Sequence, residues 1–320
     1  MISEKIQLYE DKPQVVLTTY LYDPALEGIG QRKRPAVLIM SGGAYFTCSD
    51  SEGEPVAMAF AAMGYQAFTL KYSVYGPEVF LNHFQGMVPK PECQHPAPMR
   101  DIAKAMMTIK DHADEWNVDA DRIAVCGFSA GGHNTAMYAA NWQKPVITDY
   151  FQRDKEVFRP AACIIGYGLS DYVYMKEFTA KSPNPFTKAF FAASNTAFLG
   201  APEVSDELLE EVSPARNVTE YMPPTYIWAT SQDEMVPVQN SIRMAHALAD
   251  AHIPFEIHIF EDGPHGISLA TQASAPAKDQ IFPNAAKWVG MAEAWLQKRF
   301  AIDMPETFSF EDMDAAIANR

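Results

Sequence analysis

The chain of 320 residues is short of cysteine, of positive charge and of long apolar runs, and each shortage closes off a class of function. Its four cysteines, Cys48, Cys93, Cys126 and Cys163, are scattered, with no CxxC pair and no metal-like spacing. Neither a disulfide framework nor a metal site is expected, and Cys126 and Cys163, in apolar strand-like runs, read as small core residues. Lys and Arg number 25 against 40 Asp and Glu, a formal charge of −15. Nucleic acid and anionic membrane both require a basic face, so neither is expected as a partner. No apolar stretch approaches membrane-spanning length. Residues 1–12 carry Glu4, Lys5, Glu10 and Asp11 without a long apolar run. No secretory signal is therefore expected, and the cytoplasm is the expected compartment. Internal repeats and low-complexity segments are absent too.

What the chain does have is apolar residues, 48% of the total, enough for a sizeable core. Val15, Val16, Leu17 and Tyr20 alternate loosely and read as strands of a sheet edge. Arg32, Lys33, Arg34 and Pro35 read as a polar turn before Ala36–Met40, an apolar run of the kind buried on both faces of a parallel sheet. Pro55 and Gly64 bracket a helix over Val56–Met63, and Tyr65–Leu70 reads as the next strand. After a proline-rich loop, Ile102, Met106, Ile109, Ala113 and Trp116 predict the apolar stripe of a long helix. Ala161–Ile165, Thr225–Thr230 and Phe255–Phe260 are further strands. A helix is expected around Ser241–Ala251, and a last amphipathic one carries Trp288, Met291, Trp295 and Leu296. Strands alternating with helices predict an α/β fold with a mainly parallel sheet covered on both faces. Ligands in such sheets bind beyond the carboxyl ends of the strands. The rhythm breaks from about Asp171 to Tyr221, where aromatics occur without strand signals, as in a cap-like insertion over that edge. The expectation is a single domain over 1–320, with this insertion at 171–221. An acidic C-terminal extension, 301–320, carries Phe308 and Phe310 and is expected to pack on the domain or on a second subunit, so a homo-oligomer is an open possibility.

The stretch that carries chemistry is Ile123–His133. A β-type run breaks at Gly127-Phe128-Ser129-Ala130-Gly131, which fits G-x-S-x-G, and a helix-permissive run follows. A serine hydroxyl becomes a useful nucleophile only when it stands clear of the backbone and meets a base. A tight strand-to-helix turn achieves this by straining the serine, which requires neighbours without bulk. A base and an orienting acid are then needed. His265 follows one strand end, in Glu261-Asp262-Gly263-Pro264-His265-Gly266, and Asp233 follows another. Glu234 and Asp262 are rival acids, read instead as solvated and turn-forming. His133 reads as a packing or capping residue. His83, His95, His112, His246, His252 and His258 read as surface or loop residues. The order Ser129, Asp233, His265 is that of the α/β-hydrolase arrangement. An oxyanion requires preorganised N–H donors, each worth roughly 3 kcal/mol. Ala130, next after the serine, offers one. Gly43 and Ala44, in Ser41-Gly42-Gly43-Ala44-Tyr45 after an earlier strand, offer the others, and Tyr45 is a candidate to line the pocket.

With these residues in place, the chain resembles α/β-hydrolases of the acetylesterase type, relatives of hormone-sensitive-lipase-like esterases and acetyl xylan esterases. The resemblance runs from about Arg34 to Phe300. SGGAY, NVDADRIAVCGFSAGGH, PPTYIWATSQDEMVPVQNS and PFEIHIFEDGPHGISLA carry it. Ser41 stands where many relatives have His, and Ala44 where some have a third Gly. The resemblance implies hydrolysis of short acyl esters, acetyl above all, on carbohydrate or oligosaccharide substrates, with no metal or cofactor. Two other readings stay open: an arylformamidase or small peptidase on the same scaffold, and a non-catalytic ligand-binding homologue.

Overall fold

In the computed structural model, which describes residues 1–26, 29 and 32–304, eight strands form one sheet. They are β1 (Lys5–Gln7), β2 (Val16–Tyr20), β3 (Arg34–Met40), β4 (Gln66–Lys71), β5 (Val118–Phe128), β6 (Ala162–Gly166), β7 (Thr225–Thr230) and β8 (Phe255–Phe260). Their spatial order is β1-β2-β4-β3-β5-β6-β7-β8. From β4 to β8 every pairing is parallel, while β1 and β2 add an antiparallel edge. Parallel neighbours need crossover connections, and helices supply them. In chain order these are α1 (Glu54–Ala62), α2 (Glu78–Leu81), α3 (Ala97–Asp111), α4 (Ser129–Asn141), α5 (Pro145–Phe151), α6 (Tyr172–Lys181), α7 (Pro185–Leu199), α8 (Asp206–Glu211), α9 (Gln239–Asp250) and α10 (Trp288–Phe300).

The sheet separates two cores. On one face α1 and α10 pack Val56, Phe60, Trp288, Trp295 and Leu296 against Val37, Ile39, Cys126 and Trp228. Trp228 of β7 and Trp288 of α10 stack with centroids 4.9 Å apart. On the other face α3, α4 and α9 cover Leu38, Val125, Cys163 and Ile227. Central strands covered twice have no polar face, which is why β3, β6 and β7 are buried at every position. The four cysteines are free. Among the described residues no helix is long and apolar enough to cross a membrane.

Several expectations need adjusting. The polar turn at Arg32–Pro35 ends sooner, because β3 already begins at Arg34. The Arg34 side chain is buried, its guanidinium donating to the carbonyls of Gly64 at 2.9 Å and Ile29 at 2.8 Å. The stripe assigned to a long helix overran its end. α3 stops at Asp111, and Ala113 and Trp116 are buried in the turn that follows. Trp116 stacks on His112 and lies 5.5 Å from Phe68. His258 sits within β8, and His95 is packed against Phe198 with its side chain 12% exposed, so neither is a free surface residue. Between β6 and β7 the chain forms α6, α7 and α8. Within the expected C-terminal extension, residues 305–320, with Phe308 and Phe310, lie outside the described residues.

Candidate active site

Ser129 is the first residue of α4, directly after β5, and its φ of 53° lies in the left-handed region that non-glycine residues rarely occupy. The turn is tight enough that a Cβ at Gly131 would meet the carbonyl oxygens of Met40 and Ser41 at 2.3 Å. Glycine at that position lets α4 start against the end of β3. The first turn of a helix leaves its N–H groups without intrahelical partners, and Ala130 lies there.

The loops after β7 and β8 bring the other two side chains to Ser129. The Ser129 hydroxyl donates to His265 Nε2 at 2.7 Å, and His265 Nδ1–H donates to Asp233 Oδ2 at 2.6 Å. Asp233 is held in turn: its Oδ1 accepts the amides of Met235 and Val236, both at 2.9 Å. Its side chain is fully buried, whereas Glu234 is exposed and Asp262 accepts from Gln232 on the surface. Burial disfavours the His265 imidazolium, but the charge and hydrogen bond of Asp233, with Glu52 adding to them, outweigh it. The net effect raises His265 above its ordinary 6.5. The three residues expected from the sequence therefore meet as one hydrogen-bonded chain.

Gly43, Ala44 and Ala130 all line the cavity into which Ser129 and His265 open, a space of about 220 Å³. Ala44 and Tyr45 have φ of 54° and 62°, strained values for residues with a Cβ. Such a loop persists only when its surroundings hold it, and here they do. Ser194 of α7 donates to the Ala44 carbonyl at 3.1 Å, and the Tyr75 and Gly76 amides donate to the carbonyls of Tyr45 and Phe46. Tyr45 also lines the cavity, yet it is almost wholly buried. Its ring stacks on Phe198 at 4.1 Å, and its hydroxyl donates to His133 Nδ1 at 2.5 Å. His133 Nε2–H donates to the Val212 carbonyl at 2.7 Å, and burial pushes the histidine down to about 3, so it stays neutral. His133 is thus a packing residue, as its place on the helix suggests.

Two cavity neighbours escaped the sequence reading. Glu52 is buried beside Gly43, Ser129 and His265, and Tyr167 places its phenol against Glu52. In Ser51-Glu52-Gly53-Glu54-Pro55 the glutamate looks like a solvated acid before a helix. An aromatic residue directly after a fully buried strand, as Tyr167 is after β6, was the only available signal. The rest of the lining is mainly apolar, with Leu169, Phe190, Phe191 and Val236 prominent beside Ser49, Tyr172 and Ser194. Among the described residues no Lys or Arg contributes to it.

The chain is 29% identical over 271 residues to an endo-1,4-beta-xylanase B of Butyrivibrio fibrisolvens, covering 84% of this chain and 37% of that protein. An acetylxylan esterase of Xylanibacter ruminicola is 25% identical over 60% of this chain and 35% of its own length. The chain spans between about a third and a half of the length of the curated relatives it matches. Among solved structures, the carboxylesterase Cest-2923 of Lactobacillus plantarum superposes with a TM-score of 0.75 at 25% identity, over 95% of this chain and 100% of that one. An acetyl ester-xyloside bifunctional hydrolase of Caldicellulosiruptor lactoaceticus gives 0.69 at 27%, over 92% and 96%. The fold is that of the α/β-hydrolases, and because the BD-FAE family model matches residues 22–248, the chain belongs to the BD-FAE family.

Proposed function

We propose that the protein is a serine carboxylic-ester hydrolase that removes short acyl groups, acetyl first among them, from carbohydrate substrates. The observation that carries this reading is the chain Asp233–His265–Ser129 opening into a small apolar cavity. Ser129 Oγ attacks the ester carbonyl carbon while His265 Nε2 takes its proton, and Asp233 holds the imidazolium. The Gly43, Ala44 and Ala130 amides stabilise the tetrahedral oxyanion. His265 returns the proton to the leaving alcohol, and water then attacks the acyl-enzyme by the same route, releasing the acid and Ser129.

Drug-sized ligands occupy cavities of roughly 300–1,000 Å³, so a volume of about 220 Å³ favours a small acyl group. The xylan-directed names of the relatives support a sugar as the alcohol. A mainly apolar lining with no Lys or Arg among the described residues disfavours substrates that carry a free carboxylate, such as peptides or N-formylkynurenine. The test is acetate release from acetylated xylo-oligosaccharides, with p-nitrophenyl acetate and butyrate alongside. Ser129→Ala is expected to lower kcat by on the order of 10⁶-fold, the scale seen when a serine nucleophile is lost. Retention of most activity in that variant would remove the nucleophile assignment. Cleavage of the p-nitrophenyl esters alone would remove the carbohydrate assignment and leave the esterase.

A further inference from the structure

A buried carboxylate that the mechanism above does not use lies beside the reacting groups. Glu52 Oε2 accepts the Gly42 amide at 2.6 Å, and Glu52 Oε1 accepts the Tyr167 hydroxyl at 2.7 Å. The Tyr167 oxygen accepts the Ser268 amide at 2.9 Å. Ser268 N can only donate, so the Tyr167 oxygen accepts from it and the phenol's own proton is free to point at Glu52, the arrangement an ionised carboxylate takes. Gly42 adjoins Gly43 and Ala44, which line the cavity. It lies so close to the nucleophile that a Cβ there would meet that of Ser129 at 2.7 Å. Ser268 lies three residues beyond His265, and Tyr167 presents its ring edge-on to the His265 ring at 5.1 Å. Ser268 is anchored again where its hydroxyl donates to the Ser51 carbonyl at 2.7 Å, next to Glu52 in the chain.

We propose that Glu52 is a positioning residue: through Gly42 on one side and Tyr167–Ser268 on the other, it sets the oxyanion loop and the His265 loop relative to Ser129 as one unit. The inference rests on the serine-hydrolase reading above. It explains why an acid is kept where burial works against its charge. Burial holds Glu52 above the usual carboxylate range, and the Tyr167 and Gly42 hydrogen bonds and the neighbouring His265 draw it only part of the way back. A neutral side chain would hold the Gly42 amide more weakly, since a charged acceptor roughly doubles the strength of a hydrogen bond. The same charge bears on His265. Among the described residues, the titratable groups coupled to the pair are Asp233, Tyr167, Tyr72 and Cys126. The two phenols and the thiol are pushed well upward and stay neutral, so Asp233 and Glu52 are the charges that His265 meets.

The experiment compares Glu52→Gln and Tyr167→Phe with the parent on p-nitrophenyl acetate, recording kcat, KM and the pH profile of kcat/KM. Ser129→Ala and thermal melting serve as controls. Glu52→Gln is expected to lower kcat by roughly 10- to 100-fold, below the loss typical of an oxyanion donor removed outright, with KM within about two-fold. Its acid limb should move to lower pH, because a charge favouring the imidazolium is gone. Tyr167→Phe cuts the tie to the Ser268 loop, so kcat should fall with KM unchanged. A Glu52→Gln enzyme with parental kcat, or with an unmoved acid limb, overturns the proposal. Should that variant not fold, Tyr167→Phe with parental kcat overturns it and a loss of kcat at unchanged KM supports it. Activity that survives Ser129→Ala would instead sink the underlying hydrolase reading.

Discussion

At the scale of single residues, the site depends on where small side chains allow main chains to touch. Gly131 is the clearest case. A methyl group there would stand 2.3 Å from two backbone carbonyls of the β3 end, which have no rotamer to yield. Gly131→Ala is expected to cost roughly 1–3 kcal/mol, the range for overpacking a tight site. The loss should appear as a lower urea midpoint at an unchanged slope, and a midpoint matching the parent would show that β3 and α4 can separate freely. This feature was legible in the sequence because G-x-S-x-G is a local requirement of one turn. Asp233 reads as the acid over Glu234 because Glu234 looks solvated, and the structure leaves Glu234 exposed while Asp233 meets His265. Glu52 was not legible. Its chemistry comes from Gly42, Tyr167 and His265, and nothing in residues 51–55 tells a buried acid from a solvated one.

At the scale of elements, the strained loop Gly43–Tyr45 owes its shape to α7 as much as to its own residues. Ser194, Phe198 and Phe190 of that helix meet Ala44, Tyr45 and Phe46 in turn. Ser194→Ala removes the donor to the Ala44 carbonyl and is expected to cost about 1 kcal/mol of stability. It should also lower kcat several-fold with little change in KM, because Ala44 is one of the proposed oxyanion donors. Equal kcat in variant and parent would mean that the loop holds its strain without α7. The periodic pattern that marked α3 shows the opposite failing. Ala113 and Trp116 continue its apolar stripe but lie beyond Asp111, since periodicity reports burial and not helical hydrogen bonding. Trp116 reaches the core from a turn, stacked on His112.

At the scale of the whole molecule, the loops after β3, β5, β7 and β8 converge on one edge of the sheet, and α6 and α7 bring further walls from between β6 and β7. His133 joins these parts. It is fully buried on α4, bonded to Tyr45 and to the Val212 carbonyl, with Tyr172 and Phe198 against its ring. Burial holds it neutral down to about 3, whereas an unfolded histidine takes a proton below about 6.5. Between those values the unfolded chain binds the extra proton, so stability falls as pH falls, by about 1.4 kcal/mol per pH unit from this group. Urea midpoints measured from pH 7 to pH 4 should drop more steeply in the parent than in His133→Gln, and equal slopes would show that the group does not carry the effect. The alternation of strands and helices, the strained serine and the chain order of Ser129, Asp233 and His265 were set by the sequence, because each follows from local periodicity or from the chemistry of a single turn. How those strands are ordered, what braces the loop at Ala44 and which acid is buried beside the nucleophile were decided only by tertiary structure, because each depends on residues far apart in the chain excluding water from one another.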